Sequence, residues 1–180
     1  MNILHLAFQV GLSKKLRRTG WVMNKVKDPE SVADHCFRVT VLAMTLAPSL
    51  GVNQQKLIKM AIIHDIGETS TGDLVVQRGL KLNKEKRDNK EKIEKEAIRS
   101  ILFGYEEDYA KLFHEMIERK TLEAQIFWQI DKLEMAVQAY EYEKTQGIDL
   151  SEFFSSAETY MEHPLLKQAF DDLKKMRHKK

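Results

Sequence analysis

The sequence predicts an all-α fold: a bundle of six to eight helices in a single domain that spans residues 1–180. The chain has only three prolines and eight glycines, so few residues break a helix. Apolar residues recur at helical spacing along most of its length, and alternating runs of β-branched residues are scarce. A chain of 180 residues can bury a hydrophobic core, so helix-on-helix packing is the expected architecture.

The first predicted helix covers residues 2–13, which carry apolar side chains along one side. Residues 14–30 are predicted to be irregular, because Thr19-Gly20 and Asp28-Pro29 are turn signals. The next helix is predicted over residues 31–47. Its first residue is a serine that can cap it, with an acid three residues later, and a proline and a glycine follow its end.

A third helix is predicted from the capping residue Asn53 to Ile66, with Gly67 as its stop signal. A polar loop over residues 67–82 follows it. Glycines then separate the remaining helices, at Gly104 and at Gly147. The ranges predicted for those helices are 84–102, 106–119, 122–145 and 164–176.

Charge and cysteine content narrow the class of protein. Lysine and arginine total 29 and aspartate and glutamate total 27, a near-neutral balance that gives no case for binding a nucleic acid polymer. Cys36 is the only cysteine, so a reducing cytoplasm is the expected location. No apolar run approaches the ~18 residues of a membrane span, and no signal-length segment is recognisable, so no membrane partner is expected.

Four polar residues fall where a packed core would place apolar ones. His64-Asp65 follows the apolar stretch that ends the third helix. Asp131 lies in the apolar stripe of helix 122–145, four residues from Phe127 and four from Met135. His35 lies between the apolar residues of helix 31–47. A buried carboxylate is costly unless it is paired or bound to a metal.

These residues together predict a metal site. His35, His64, Asp65 and Asp131 form a nitrogen and oxygen donor set with no thiolate, which suits one divalent ion: Mn, Co, Ni, Fe, Zn or Mg. Taken singly, each residue is explained as well by an ordinary core contact: a satisfied histidine or an ion-paired aspartate. Glu68 lies one turn beyond His64-Asp65, where it could reach a water on the metal as base or positioner.

The pattern resembles the HD-domain superfamily of metal-dependent phosphohydrolases, whose motif is H…HD…D. More narrowly, it resembles the 5′-deoxynucleotidase branch of that superfamily, in order over roughly residues 10–170. Four runs carry this resemblance: Arg18-Thr19-Gly20-Trp21, Pro29 to His35, His64-Asp65-Ile66-Gly67-Glu68 through Gly72-Asp73, and Gln129 to Met135. His163-Pro164 also looks like that branch.

The resemblance implies an activity and roles for individual residues. Members of the branch hydrolyse deoxynucleoside 5′-monophosphates to deoxynucleoside and phosphate, use one divalent metal and are commonly homodimers. The motif implies that Glu68 is catalytic and that Asp73 contributes to catalysis and sugar recognition. Arg18 and Trp21 are implied to line the nucleotide site. In some members the arginine adjoins the tryptophan, whereas two residues separate them here, so Arg17 is an alternative to Arg18.

Two other functions remain open at this stage. Another HD phosphohydrolase, acting on a cyclic dinucleotide, an alarmone or a nucleoside triphosphate, would share the same core. Such enzymes usually carry extra domains or motifs that this chain does not show. A metal-holding or nucleotide-binding scaffold would need no water activator, so the presence of both Glu68 and Asp73 favours an enzyme.

Overall fold

The computed structural model describes residues 2–73, 84–104 and 109–178, except for the side chains of residues 84–91. The described part is helical, and its only β pairing is one isolated bridge between Arg17 and Ser31. Its α-helices are α1 (Ile3–Gly11), α2 (Thr19–Met23), α3 (Val32–Leu50), α4 (Gln54–Ile63), α5 (Glu68–Thr71), α6 (Lys84–Ile101), α7 (Tyr109–Glu118), α8 (Leu122–Gln146), α9 (Ser151–Glu158) and α10 (Pro164–His178). The all-α prediction is confirmed.

The helix count exceeds the predicted six to eight because three short helices were not predicted. These are α2, inside the segment 14–30 that was expected to be irregular, together with α5 and α9. Helices of four to eight residues have little stability of their own, so they carry a weak periodic signal and depend on tertiary contacts. Residues 74–82 of the predicted loop, and residues 106–108 of the predicted helix 106–119, lie outside the described residues.

Helix α8 occupies the centre of the bundle and packs against α3, α4, α7, α9 and α10. Its inward side chains include Phe127 and Ile130, both fully buried. They belong to the same hydrophobic cluster as Leu57 and Met60 of α4 and Phe113 of α7. The elements that carry the predicted metal ligands, α3, the end of α4 and α8, therefore contact one another in the core.

The ends of α3 follow the predicted signals, with one extension. Ser31 and Asp34 form a reciprocal capping box at its start. The helix continues past the predicted end and includes Pro48 in its last turn, before Gly51 closes it with a φ of 68°. Pro48 has no N–H for the carbonyl of Met44, and the side chain of Gln54 donates to that carbonyl instead, at 2.8 Å.

Helix α4 ends at Ile63, before the predicted Ile66, so that His64 and Asp65 lie in the turn that leads to α5. Gly67 was predicted to stop this helix, but the helix ends before it, and the φ of Gly67 is −61°, an ordinary right-handed value. It serves close packing instead. A Cβ at Gly67 would lie 3.2 Å from the backbone oxygen of Glu94 and 3.4 Å from Cγ1 of Ile98, both on α6. Within the described residues, no helix is both long and apolar enough to cross a membrane.

Candidate metal centre and active site

The structure brings the four predicted metal ligands together from three elements. Nε2 of His35, on α3, lies 3.0 Å from Oδ1 of Asp131, on α8, and Nε2 of His64 lies 3.7 Å from the same oxygen. Oδ2 of Asp65 lies 3.1 Å from Nε2 of His64 and 3.9 Å from Nε2 of His35. The donor atoms of His35, His64 and Asp131 all lie within 4.8 Å of one another, as the ligands of one ion would.

The hydrogen bonds of His64 leave one of its nitrogens available to a metal. Nδ1 lies 2.8 Å from the carbonyl oxygen of Ala61, and it donates its proton there because a carbonyl can only accept. In the neutral imidazole Nε2 therefore carries the lone pair. This atom is buried and makes no well-aligned hydrogen bond among the described residues, although Oδ2 of Asp65 lies 3.1 Å away, and a metal ion would satisfy it. The donor set fits a divalent ion of the predicted kind.

The carboxylates of the cluster are held in their charged form. Burial acts to raise the pKa of Asp65, but His64 and Arg18 outweigh it and the net shift is downward. The pKa of Asp131 is likewise lowered against burial, chiefly by Lys132 and His35. Burial and Arg18 both act to lower the pKa of His35, yet Glu134 and Asp131 raise it to about 9. Negative charge thus dominates the site.

Arg18 faces this cluster, and Arg17 does not. An amino group (Nη1) of Arg18 donates to Oδ2 of Asp65 at 2.7 Å. Burial opposes its charge, but Asp65 and three further acids raise its pKa; these acids are Asp131, Asp73 and Glu68. Arg17 instead donates to the carbonyl oxygen of Pro29 at 2.9 Å, on the exposed side of the chain. Of the two candidates, only Arg18 is placed to meet a ligand of the metal site.

Glu68 and Asp73 lie at the two ends of the short helix α5. Glu68 begins the helix and is only 5% exposed, close enough to Arg18 and Cys36 to shift the pKa of both. Asp73 follows the helix and accepts a hydrogen bond from the backbone N–H of Thr19 at 2.6 Å. The hydroxyl of Thr19 donates to the carbonyl of Asp73 at 2.8 Å. These bonds fasten the end of α5 to the residue that follows Arg18.

The expectation that Trp21 lines the nucleotide site stays a prediction, and the structure places its side chain in the core. The indole is 1% exposed and stacks on Phe153, with ring centroids 4.2 Å apart, while Tyr142 contacts it edge-on. Its N–H donates to Oε1 of Glu30 at 2.9 Å, and that oxygen lies 3.8 Å from Nε of Arg18. A large aromatic ring near a site was equally consistent with core packing, and the surrounding aromatic residues favoured the core.

Two charged residues of α8 contact the metal ligands but were not predicted as site residues. Oε2 of Glu134 lies 2.5 Å from Nδ1 of His35, and Nζ of Lys132 lies 2.7 Å from Oδ2 of Asp131. The sequence did contain a signal for Glu134. It follows Asp131 by three residues, so both carboxylates fall on the inward face of the same helix. Lys132 carried no comparable signal, because lysines beside an acid are common on exposed helices.

Comparison with known proteins identifies the family. A family model described as an HD domain matches residues 10–169. The chain belongs to the HD-domain family. A 5′-deoxynucleotidase HDDC2 from Danio rerio is 34% identical to this HD-domain chain over 166 residues, 91% of the chain and 82% of the relative. The 5′-deoxynucleotidase HDDC2 of Dictyostelium discoideum is 37% identical over 182 residues, 92% of the chain and 93% of the relative.

A solved structure has the same fold. A conserved hypothetical protein from Pyrococcus furiosus superposes with a TM-score of 0.79 at 35% identity, over 96% of this chain and 99% of its own. The resemblance to the 5′-deoxynucleotidase branch, inferred from short sequence runs, is therefore confirmed over nearly the whole chain. The described part of this HD domain has a histidine and aspartate cluster able to bind an ion.

Proposed function

We propose that the protein is a metal-dependent 5′-deoxynucleotidase that hydrolyses deoxynucleoside 5′-monophosphates to deoxynucleoside and inorganic phosphate. The observation that carries the proposal is the convergence of His35, His64, Asp65 and Asp131 in a chain whose relatives with that activity match it over 82% and 93% of their length. The four residues would hold one divalent ion. When bound, such an ion polarises a phosphoryl oxygen and lowers the pKa of a coordinated water.

Arg18 is proposed to orient the phosphate. Its bond to Asp65 uses one of the five N–H donors of a guanidinium, and the planar fork can bind two phosphate oxygens at once. Glu30, itself held by the indole of Trp21, lies beside Nε of Arg18 and limits the directions that the arginine can take. In this proposal Trp21 acts on the nucleotide through Glu30 and Arg18 and not by stacking on a base.

Glu68 is proposed to take a proton from the attacking water, and Asp73 to bind the sugar. Glu68 is buried at the start of α5, four residues after His64, and an ionised carboxylate there could accept that proton. An ionised Asp73 can accept hydrogen bonds from a sugar hydroxyl. Its bond to the N–H of Thr19 fixes the carboxylate within the field of Arg18, near the position proposed for the phosphate.

We also propose that the protein is a homodimer of the cytoplasm. Helix α1 has no buried residue, and its apolar side chains Ile3, Leu4 and Phe8 are 66%, 68% and 73% exposed. Covering such a surface with a second copy of the chain would remove it from water. The single cysteine, Cys36, is a free thiol, as the reducing cytoplasm favours.

The activity is tested by measuring phosphate release from purified protein supplied with Mn²⁺ or Co²⁺. The substrates are dAMP, dCMP, dGMP and dTMP, with the ribonucleotides, triphosphates and cyclic dinucleotides as comparison. We expect release from the deoxynucleoside monophosphates, loss of release with EDTA, and no release from triphosphates or cyclic dinucleotides. Metal binding without phosphate release from any monophosphate would contradict the proposal.

A further inference from the structure

Glu134 is a buried carboxylate that the proposed hydrolysis does not use. It is fully buried (0% exposed), on the face of α8 that meets α3. Its Oε2 lies 2.5 Å from Nδ1 of His35, and its Oε1 accepts a hydrogen bond from Nε of Arg38 at 2.8 Å. Both oxygens are thus engaged by groups from α3. An ionised group at such depth is costly unless each of its contacts is well made.

The contact with Nδ1 determines what the other nitrogen of His35 can do. A carboxylate accepts hydrogen bonds, so Nδ1 carries a proton and donates it to Glu134. In the neutral imidazole the lone pair then lies on Nε2, the nitrogen that faces Asp131 at 3.0 Å and Asp65 at 3.9 Å. A neutral Nε2 with its lone pair directed at the cluster is what a metal ligand requires.

We propose that Glu134 is a positioning residue for metal binding: it fixes the tautomer and ring orientation of His35, and Arg38 in turn fixes Glu134. This inference rests on the proposed function only in that His35 binds the metal. A carboxylate behind a ligating histidine also makes the imidazole a stronger donor. The residue acts through His35 and touches neither the substrate nor the reacting atoms.

The arrangement along the two helices supports a specific role over an incidental ion pair. Arg38 follows His35 by three residues on α3, and Glu134 follows Asp131 by three residues on α8. One turn beyond each ligand therefore lies one member of the Arg38–Glu134 pair, and Glu134 reaches across to His35 on the facing helix. Arg38 is held in place from α8 as well, by both carboxylate oxygens of Glu141 at 3.0 Å and by the side chain of Gln138.

A purely structural ion pair between Arg38 and Glu134 predicts different behaviour. Removing Glu134 would then change the free energy of unfolding of the metal-free protein, but it would leave the intrinsic affinity of His35 for a metal unchanged. A positioning role predicts a loss of metal affinity even in a variant that folds normally. The amide of Glu134→Gln keeps the shape of the side chain and loses its charge, so this variant separates the two explanations.

The test measures Co²⁺ binding to the full chain by calorimetry and by the visible spectrum of the bound ion. For Glu134→Gln we expect affinity to fall about 10–100-fold, the usual effect of losing such a support. The matched control is Glu141→Gln, which changes another partner of Arg38 that does not contact His35. Because Arg38 keeps its hydrogen bond to Glu134 in this variant, we expect far less loss of Co²⁺ affinity than in Glu134→Gln. Thermal unfolding of each metal-free variant checks that it folds.

A second variant keeps the test decisive if Glu134→Gln folds poorly. Arg38→Gln leaves Glu134 in place but removes its support, and we expect a smaller loss of Co²⁺ affinity. Wild-type affinity in both Glu134→Gln and Arg38→Gln would overturn the inference and leave the proposed function intact. A wild-type chain that does not bind Co²⁺, or a His35→Ala variant that binds it equally well, would contradict the proposed metal site itself.

Discussion

At the scale of single residues, positive and negative side chains face one another at the candidate site. The guanidinium of Arg18 faces the carboxylates of Asp65, Asp131, Asp73 and Glu68, and these acids raise its pKa despite its burial. In the proposed function, a divalent ion would add the positive charge that so acidic a cluster needs before a phosphate dianion can enter. On that proposal, the site would therefore use two cations, the metal and Arg18.

Replacing Glu68 by alanine should leave the metal bound and remove most turnover. Glu68 is not among the ligand atoms that converge on His35, His64 and Asp131. General-base assistance typically contributes about 10²–10⁴-fold to a rate, and we expect kcat for dAMP to fall within that range. Steady-state kinetics together with Co²⁺ titration would measure both effects. A variant as active as the wild type would refute the assignment of Glu68.

Replacing Arg18 by lysine should weaken phosphate binding, because an ammonium cannot form the two-pronged contact of a guanidinium. We expect kcat/KM for dAMP to fall at least about 10-fold, in line with the loss of one charge-assisted hydrogen bond. Arg17→Lys is the matched control, since Arg17 binds only the carbonyl of Pro29 in the described structure. If Arg17→Lys were the more damaging change, Arg17 would be the phosphate ligand.

The protonation of His35 makes the stability of the metal-free protein depend on pH. Burial lowers the pKa of His35, but Glu134 and Asp131 raise it to about 9, above the ordinary value near 6.5. A raised pKa stabilises the fold below pH ~6.5, and this contribution is lost as the pH rises towards 9. We expect the free energy of unfolding of EDTA-treated protein to fall over that range by on the order of 1–3 kcal/mol.

Urea unfolding at pH 6, 7.5 and 9 would measure this decline in stability. His35→Gln is the control, because it cannot titrate and should show a flatter pH profile. An equally steep decline in both proteins would assign the effect to other groups.

At the scale of elements, short helices and turns hold the candidate catalytic residues in position. The turn from His64 to Gly67 joins α4, which belongs to the core, to α5, which begins with Glu68. Asp73 at the other end of α5 is bonded to Thr19 at the start of α2. Gln9 of α1 adds a hydrogen bond to Ser70 at 2.9 Å. Because these elements are too short to be stable alone, their positions depend on such contacts.

Replacing Gly67 by alanine should disturb this turn. The new methyl group would lie 3.2 Å from the carbonyl of Glu94, so α5 and α6 would have to separate. We expect a loss of about 1–3 kcal/mol in the free energy of unfolding, and lower activity because Glu68 moves with α5. Gly11→Ala is the control, since a Cβ there meets no atom within 4 Å. Chemical denaturation measures the free energy of unfolding of the two variants. Equal stability would show that α6 can shift to accommodate the methyl group at no cost.

At the scale of the whole molecule, the apolar face of α1 is left exposed to water in the single chain. Replacing Phe8, which is 73% exposed, by serine should weaken the proposed dimer. The control is Phe103→Ser, at a residue that is 81% exposed and lies just beyond the end of α6, and this change should leave the dimer intact. Light scattering during size-exclusion chromatography would report the mass of each variant. A wild-type monomer would refute the dimer, and a dimeric Phe8→Ser would place its interface elsewhere.

The sequence determined the all-α class, the long helices and the cluster of four candidate metal ligands, because these leave local signals. A helical stripe of apolar residues shows its inward face, and His35, His64, Asp65 and Asp131 stand out on or beside such stripes as polar residues in apolar positions. Caps such as Ser31 and Asn53 likewise act within one turn of the chain. Physical effects that extend over a few neighbouring residues can be predicted from their order alone.

Only the tertiary structure decided which side chains the site contains beyond those ligands. In the folded chain Arg18, and not Arg17, faces the cluster, and Trp21 packs in the core against Phe153. Glu134 contacts His35 although 99 residues of sequence separate the two. The tertiary structure also formed α2, α5 and α9. These outcomes depend on contacts between distant segments, and the free energy of such contacts is set by packing that no local pattern of residues records.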